Sequence, residues 1–150
     1  MKILVVNGPN LNTLGAREPH IYGNQTLAET DSLLVRRGQD LGAEVEPYQS
    51  NSEGDLVDFL QAQGPLAHGI IINPGALTHY GLSLRDALVA TGLPIIEVHI
   101  SNIYAREAFR QHSVIAPIAR GQISGLSWRG YILALEALVG LLSEAREGKP

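Results

Sequence analysis

Cysteine is absent from the chain and lysine nearly so. Without cysteine there is no disulfide framework, no thiolate metal site and no cysteine nucleophile, a composition that suits a reducing compartment. The two lysines are Lys2, at the start of the first predicted strand, and Lys149, next to the last residue. Neither falls in a segment that looks like a site, which argues against Schiff-base chemistry. Also missing are the Gly-Lys-Ser/Thr phosphate-loop signature and Gly-x-Gly-x-x-Gly, so nucleotide cofactors lose their main support. No His-x-x-x-His pair or carboxylate cluster has metal spacing, and a metal held by Glu97 and His99 alone is the least favoured reading of that pair. No apolar run approaches the length of a membrane span, and the start of the chain lacks the pattern of a signal peptide. The expectation is a soluble, cytoplasmic protein with no membrane partner. A net charge of -4 argues against nucleic acid as a partner. Nine arginines carry nearly all the positive charge and favour planar contacts to oxyanions.

What is present reads as one domain over residues 1–150. Ile3 to Val6 is a short apolar run with the character of a buried strand, stopped by Asn7-Gly-Pro-Asn. The stretch from Asn7 to Tyr22 is too polar for core and long for a simple turn. With Gly15, Pro19 and Gly23 as hinges it is expected to act as a lid over about residues 8–24. Thr26 and Glu29 have capping-box spacing before a helix that ends at Gly42. Glu44 to Gln49 is a second strand, and Ser52, spaced with Asp55 as a cap, opens a helix to about Gln63. His68 to Ile72 is a third strand with the continuous isoleucine run of a sheet covered on both faces. A helix from Ser83 to Thr91 leads to strand four, Ile95 to Ile100. A loop and short helix follow over Ser101 to His112, with a weakly signalled fifth strand at Gln122 to Ser124. The last helix runs from Ser127 to Arg146. This alternation predicts an α/β, flavodoxin-like, doubly wound domain with a five-stranded parallel sheet.

In such sheets ligands bind beyond the carboxyl ends of the strands, near the topological switch point. Asn10 and Arg17 after strand one, Asn73 and His79 after strand three, and His99 and Ser101 on strand four would converge there. Period-two geometry places Glu97, His99 and Ser101 on one side of strand four if that strand stays regular to Ser101. A carboxylate could then orient an imidazole and select its tautomer, the usual arrangement for a working acid or base. The structural alternative is a core histidine paired to a core glutamate. His20, His68 and His112 read as structural or surface residues. Tyr22 and Arg17 lie five residues apart, and a tyrosinate base needs a nearby cation of the kind an arginine supplies.

These residues match several spaced motifs in order: Asn7-Gly-Pro-Asn-Leu-Asn, Gly15-Ala-Arg-Glu-Pro-His-Ile-Tyr-Gly, Gln49-Ser-Asn-Ser-Glu-Gly, Ile72-Asn-Pro-Gly-Ala with Thr78 and His79, Arg85-Asp-Ala-Leu, and Glu97-Val-His-Ile-Ser-Asn with Ala105-Arg-Glu. Over nearly its whole length the chain resembles the type II 3-dehydroquinate dehydratases. The resemblance implies cofactor-free anti elimination of water from 3-dehydroquinate to give 3-dehydroshikimate through an enolate. It implies Tyr22 as the base with Arg17 lowering its pKa, Asn10 near the enolate oxygen, and His99 as the general acid oriented by Glu97. Ser101, the Ile100 backbone N–H and Asn73 would hold the substrate carboxylate, while His79 and Arg110 would contact ring hydroxyls. Asp86 matches a position that reaches a neighbouring subunit's site, and the implied assembly is a homododecamer of four trimers.

Ser52 departs from the histidine common in the family at that place, which puts a ligand role for it in doubt, and Leu77 and Tyr80-Gly81 also differ. The competing reading is a non-catalytic flavodoxin-like module that binds a small polyhydroxy acid; the presence of Tyr22, Arg17 and His99 together argues against it. An FMN or receiver domain is the third reading, and Asn7-Gly-Pro-Asn stands where a receiver's acidic cluster would be.

Overall fold

The computed structural model describes residues 1–16, 20 and 24–148. Five strands, β1 (Lys2–Asn7), β2 (Glu44–Gln49), β3 (Gly69–Asn73), β4 (Ile95–His99) and β5 (Gly121–Ser124), form one sheet in the order β2-β1-β3-β4-β5. All pairings are parallel. The crossovers contain α1 (Leu27–Asp40), α2 (Glu53–Gln63) and α3 (Leu82–Thr91), and α4 (Arg129–Arg146) follows β5. This is the doubly wound architecture that the alternation predicted.

Side chains on alternate strand positions go to opposite faces, so each strand feeds two cores. Ile3, Val5, Ile71, Ile96 and Val98 pack with Leu34 of α1 and Tyr131, Leu135 and Leu138 of α4. Leu4, Val6, Ile70, Ile72 and Ile95 pack on the other face with Leu56 and Leu60 of α2 and Leu84 and Leu88 of α3. The starts of α1 and α2 are locally encoded. Thr26 Oγ1 accepts from the Glu29 N–H at 3.2 Å while Glu29 Oε2 accepts from the Thr26 N–H at 2.9 Å, and Ser52 Oγ accepts from the Asp55 N–H at 3.3 Å. Among the described residues no helix is long and apolar enough to cross a membrane.

Four expectations need correction. β4 stops at His99, so Ser101 lies beyond the regular strand. Residues 101–112 hold two 3-10 turns, Ile103–Ala105 and Ala108–Arg110, in place of a short helix. The left-handed backbone of Ser127, φ 56°, delays α4 to Arg129. The stretch after β1 is not uniformly too polar for core: it forms a 3-10 turn over Leu11–Thr13, and Leu11 and Leu14 are buried in the α1/α4 core. The first part of the expected lid is therefore anchored by apolar burial, at roughly 1.5–3 kcal/mol for each fully buried leucine. Arg17, Pro19, Tyr22 and Gly23 lie outside the described residues.

Candidate active site

The sheet reverses its winding between β1 and β3, whose last residues, Asn7 and Asn73, are register partners. At the carboxyl ends of these strands and of β4 a pocket opens, lined by Asn10, Asn73, His79, His99, Ile100, Ser101, Arg106 and Arg110 among others. Two glycines let its walls close together. A Cβ on Gly8 would come within 2.3 Å of the Pro74 carbonyl oxygen, and Gly75, at φ +59°, would put one 3.0 Å from the Pro9 carbonyl oxygen.

Asn10 takes the left-handed conformation, φ 70°, which asparagine tolerates better than most residues. The polar turn after β2 holds it there: the Asn10 N–H donates to Asn51 Oδ1 at 2.9 Å, and Gln49 Nε2 donates to both Asn51 Oδ1 and the Gly8 carbonyl. That turn thus does more than cap α2.

Asn73 is buried, and its amide is oriented from two sides. Oδ1 accepts from the Gly75 N–H at 3.1 Å, and Nδ2 donates to Tyr131 Oη at 2.8 Å. Tyr131 donates in turn to Asn7 Oδ1 at 2.7 Å. One amide hydrogen of Asn73 is left for a ligand. Burial pushes the Tyr131 phenol well above its ordinary pKa, so it stays protonated and can only act as this relay.

His99 and Glu97 are both buried, with His99 Nε2 2.8 Å from Glu97 Oε1. Burial favours the neutral carboxyl, but the bond and charge from His99 and the hydroxyls of Thr78 and Ser113 outweigh it, and the Glu97 pKa falls below its usual value. An ionised Glu97 only accepts, so His99 Nε2 carries the hydrogen and Nδ1 is the nitrogen left to gain or lose a proton. His79 Nδ1 is 2.7 Å from the His112 carbonyl oxygen, which also only accepts. Nδ1 of His79 is therefore the protonated nitrogen and Nε2 is left for a ligand.

Two arginines supply positive charge at the rim. Arg110 Nε is buried and 3.4 Å from Glu107 Oε2 without making a hydrogen bond. Arg106 Nε is 3.9 Å from the same carboxylate oxygen. Arg106 was not singled out for a role from sequence, although it stands in the Ala105-Arg-Glu motif. Asn10, Asn73, His79, His99, Ile100, Ser101 and Arg110 all line this one pocket. Glu97 stands behind His99, outside the lining. Asp86 is exposed on α3 and is not part of this pocket. Of the histidines read as structural, His68 Nδ1 accepts from the Lys2 N–H at 2.9 Å and His20 is exposed.

The family model described as dehydroquinase class II matches residues 1–139. The chain is 63% identical over 140 residues to a 3-dehydroquinate dehydratase of Roseiflexus castenholzii, covering 93% of this chain and 89% of the relative. It is 60% identical over 136 residues to the protein of the same name from Herpetosiphon aurantiacus, covering 91% and 94%. Among solved structures, the type II dehydroquinase of Propionibacterium acnes superposes with a TM-score of 0.89 at 45% identity, covering 93% of this chain and 96% of the other. With the strand order, the pocket at the switch point and these matches together, the chain belongs to the class II dehydroquinase family.

Proposed function

We propose that this protein is a hydro-lyase that converts 3-dehydroquinate to 3-dehydroshikimate, a step shared by the shikimate route to aromatic amino acids and the quinate route. The observation that carries the mechanism is the buried Glu97–His99 pair, which occupies His99 Nε2 and leaves Nδ1 for the substrate. Tyr22 removes the proton next to the ketone, and Arg17 holds the tyrosinate form. The electrons pass into an enolate whose oxygen is met through Asn10. His99 then gives its Nδ1 proton to the departing hydroxyl, and water leaves on the face opposite the proton removed. Ser101, the Ile100 N–H and the spare amide hydrogen of Asn73 bind the carboxylate. His79 Nε2 and Arg110 contact the ring hydroxyls, and Arg106 adds positive charge. General acid and base groups are each worth about 100- to 10,000-fold, and an oxyanion donor about 3–4 kcal/mol.

The direct test is ultraviolet absorbance of the conjugated enone after adding the purified, metal-free protein to 3-dehydroquinate, with Tyr22→Phe in parallel. A fast rise from the unaltered chain and almost none from the variant supports both reaction and base. No rise from the folded unaltered chain rejects the reaction, while equal rises reject Tyr22 as the base.

The active form is proposed to be a cytoplasmic homododecamer of four trimers, in which Asp86 reaches a neighbouring site. The support is a face of α3 where exposed Leu82 and Val89 flank Asp86. Light scattering that gives a monomer rejects this assembly.

A further inference from the structure

Glu97 is surrounded by more donors than orienting a histidine requires. Oε1 meets Thr78 Oγ1, Ser113 Oγ at 2.7 Å and His99 Nε2 at 2.8 Å, while Oε2 accepts from Gln122 Nε2 at 2.8 Å. The donors come from separate places: the 3-10 turn after β3, the segment before β5, β4 itself and β5, where Gln122 is the register partner of Glu97. Three of these partners gather at Oε1 and one at Oε2, so both oxygens of the carboxylate are held.

Counting hydrogens fixes the directions at Thr78 and Gln122. Ser113 Oγ accepts from the N–H groups of Ile115 and Ala116 at 3.1 and 2.9 Å, which uses both its lone pairs. It cannot also accept from Thr78, although the two hydroxyl oxygens are 2.8 Å apart. The Thr78 hydrogen is thus directed to Glu97. Gln122 is fixed as well: its Oε1 accepts from Tyr104 Oη at 2.8 Å, so its amide nitrogen faces the carboxylate. A protonated Glu97 would have to point its hydrogen at a group that is already donating.

We propose that Thr78, Ser113 and Gln122 are positioning residues that keep the hydrogen shared between His99 Nε2 and Glu97 Oε1 on the nitrogen. With the collar intact, a proton taken up by the pair goes to His99 Nδ1, the atom at the pocket, and the imidazolium forms beside a carboxylate. Without it, Glu97 competes for the shared hydrogen, Nε2 becomes an acceptor and the imidazole stays neutral, a far weaker acid. The other charged or titratable groups facing the pair are His79, Arg106 and Arg110 of the pocket lining. β3 and β5 contribute none, and Tyr131 of α4 is committed to Asn7 and Asn73.

The kinetic arm rests on the dehydratase reading; the spectroscopic arm does not. In 15N-labelled protein carrying Thr78→Val with Gln122→Met, the His99 Nε2 signal is expected to move toward the unprotonated range as pH is lowered. In the unaltered protein it keeps its directly bonded hydrogen throughout. Dehydration of 3-dehydroquinate is expected to show kcat about tenfold lower in Thr78→Val, with KM within about twofold, and recovery in Thr78→Ser, which keeps the hydroxyl. Gln122→Met alone, on an edge strand, repeats the nitrogen measurement should the double variant fold poorly. An Nε2 signal identical in the unaltered and folded variant proteins overturns the proposal. So does an equal loss of kcat in Thr78→Ser and Thr78→Val. If the unaltered protein shows no dehydration, the functional reading fails, and the nitrogen signals alone decide for or against the collar.

Discussion

Glu97 is fully and Asp31 partly withdrawn from solvent, on different elements, and their surroundings push these carboxylates in opposite directions. Burial acts on both toward the neutral form. At Glu97 it is outweighed by His99 and two hydroxyls, and the pKa falls. At Asp31, on α1, Oδ1 is buried without a hydrogen-bond partner, and burial lifts the carboxyl to about 6. Withdrawal from water is therefore a poor guide to whether an acid is charged; the count of donors aimed at it decides. Glu97 has partners on both carboxylate oxygens, while Asp31 lies on α1, which covers the sheet.

The largest test of this contrast is Glu97→Gln. The substituted amide points a donor at groups that are themselves donors, so a loss of about 3 kcal/mol in urea unfolding is expected, with kcat down about 100-fold. A Glu97→Gln protein of unaltered stability would mean that the donors have other acceptors. Next is Tyr131→Phe, which removes the acceptor for Asn73 and the donor to Asn7 in one step. About 2 kcal/mol of stability should be lost, with KM raised because the Asn73 amide is freed; an unchanged KM would separate Asn73 from substrate binding.

Asp31→Asn should act the other way. The carboxyl's pKa is raised in the fold from 3.8 to about 6, so its contribution to stability is complete below 3.8 and is lost as pH rises through about 6. Allowing for the solvent that screens this half-exposed group, Asp31→Asn should gain about 1 kcal/mol above pH 6. The gain should vanish near pH 4, as followed by thermal melts across that range. A loss at neutral pH would show that Asp31 has a stabilising partner in solution and would end the contrast. The smallest effect expected is coupling between the two sites: the double variant Glu97→Gln with Asp31→Asn should match the sum of the single changes to within about 0.5 kcal/mol.

What could be read from sequence was mostly local. Helix starts at Thr26 and Ser52 announce themselves within four residues, and the alternating apolar positions of β1 and β3 sort into the two cores. The pocket histidines and asparagines were legible because strand ends carry them and the switch point gathers strand ends. The collar was not. Thr78, Ser113 and Gln122 are 16 to 25 residues from Glu97 in sequence and meet it only through turn geometry and strand register. Leu11 and Leu14 were hidden for a related reason: two leucines among polar neighbours have no period, and only the docking of α1 and α4 makes them core. Where β4 ended was obscured because Ile100 continues the apolar alternation of Ile96 and Val98 past the last paired residue.

The hydrogen bond from Tyr131 to Asn7 spans 124 positions of the chain. On a ribosome adding about 5 to 20 residues per second, the second partner is made roughly 6 to 25 s after the first. Once β3 is made, the strands that carry Asn7 and Asn73 can pair and the Gly75 N–H can hold one side of the Asn73 amide, but the hydroxyl that links the two amides is still missing. No nascent chain too short to include the helix that carries Tyr131 holds the finished arrangement, whatever sheet it has formed.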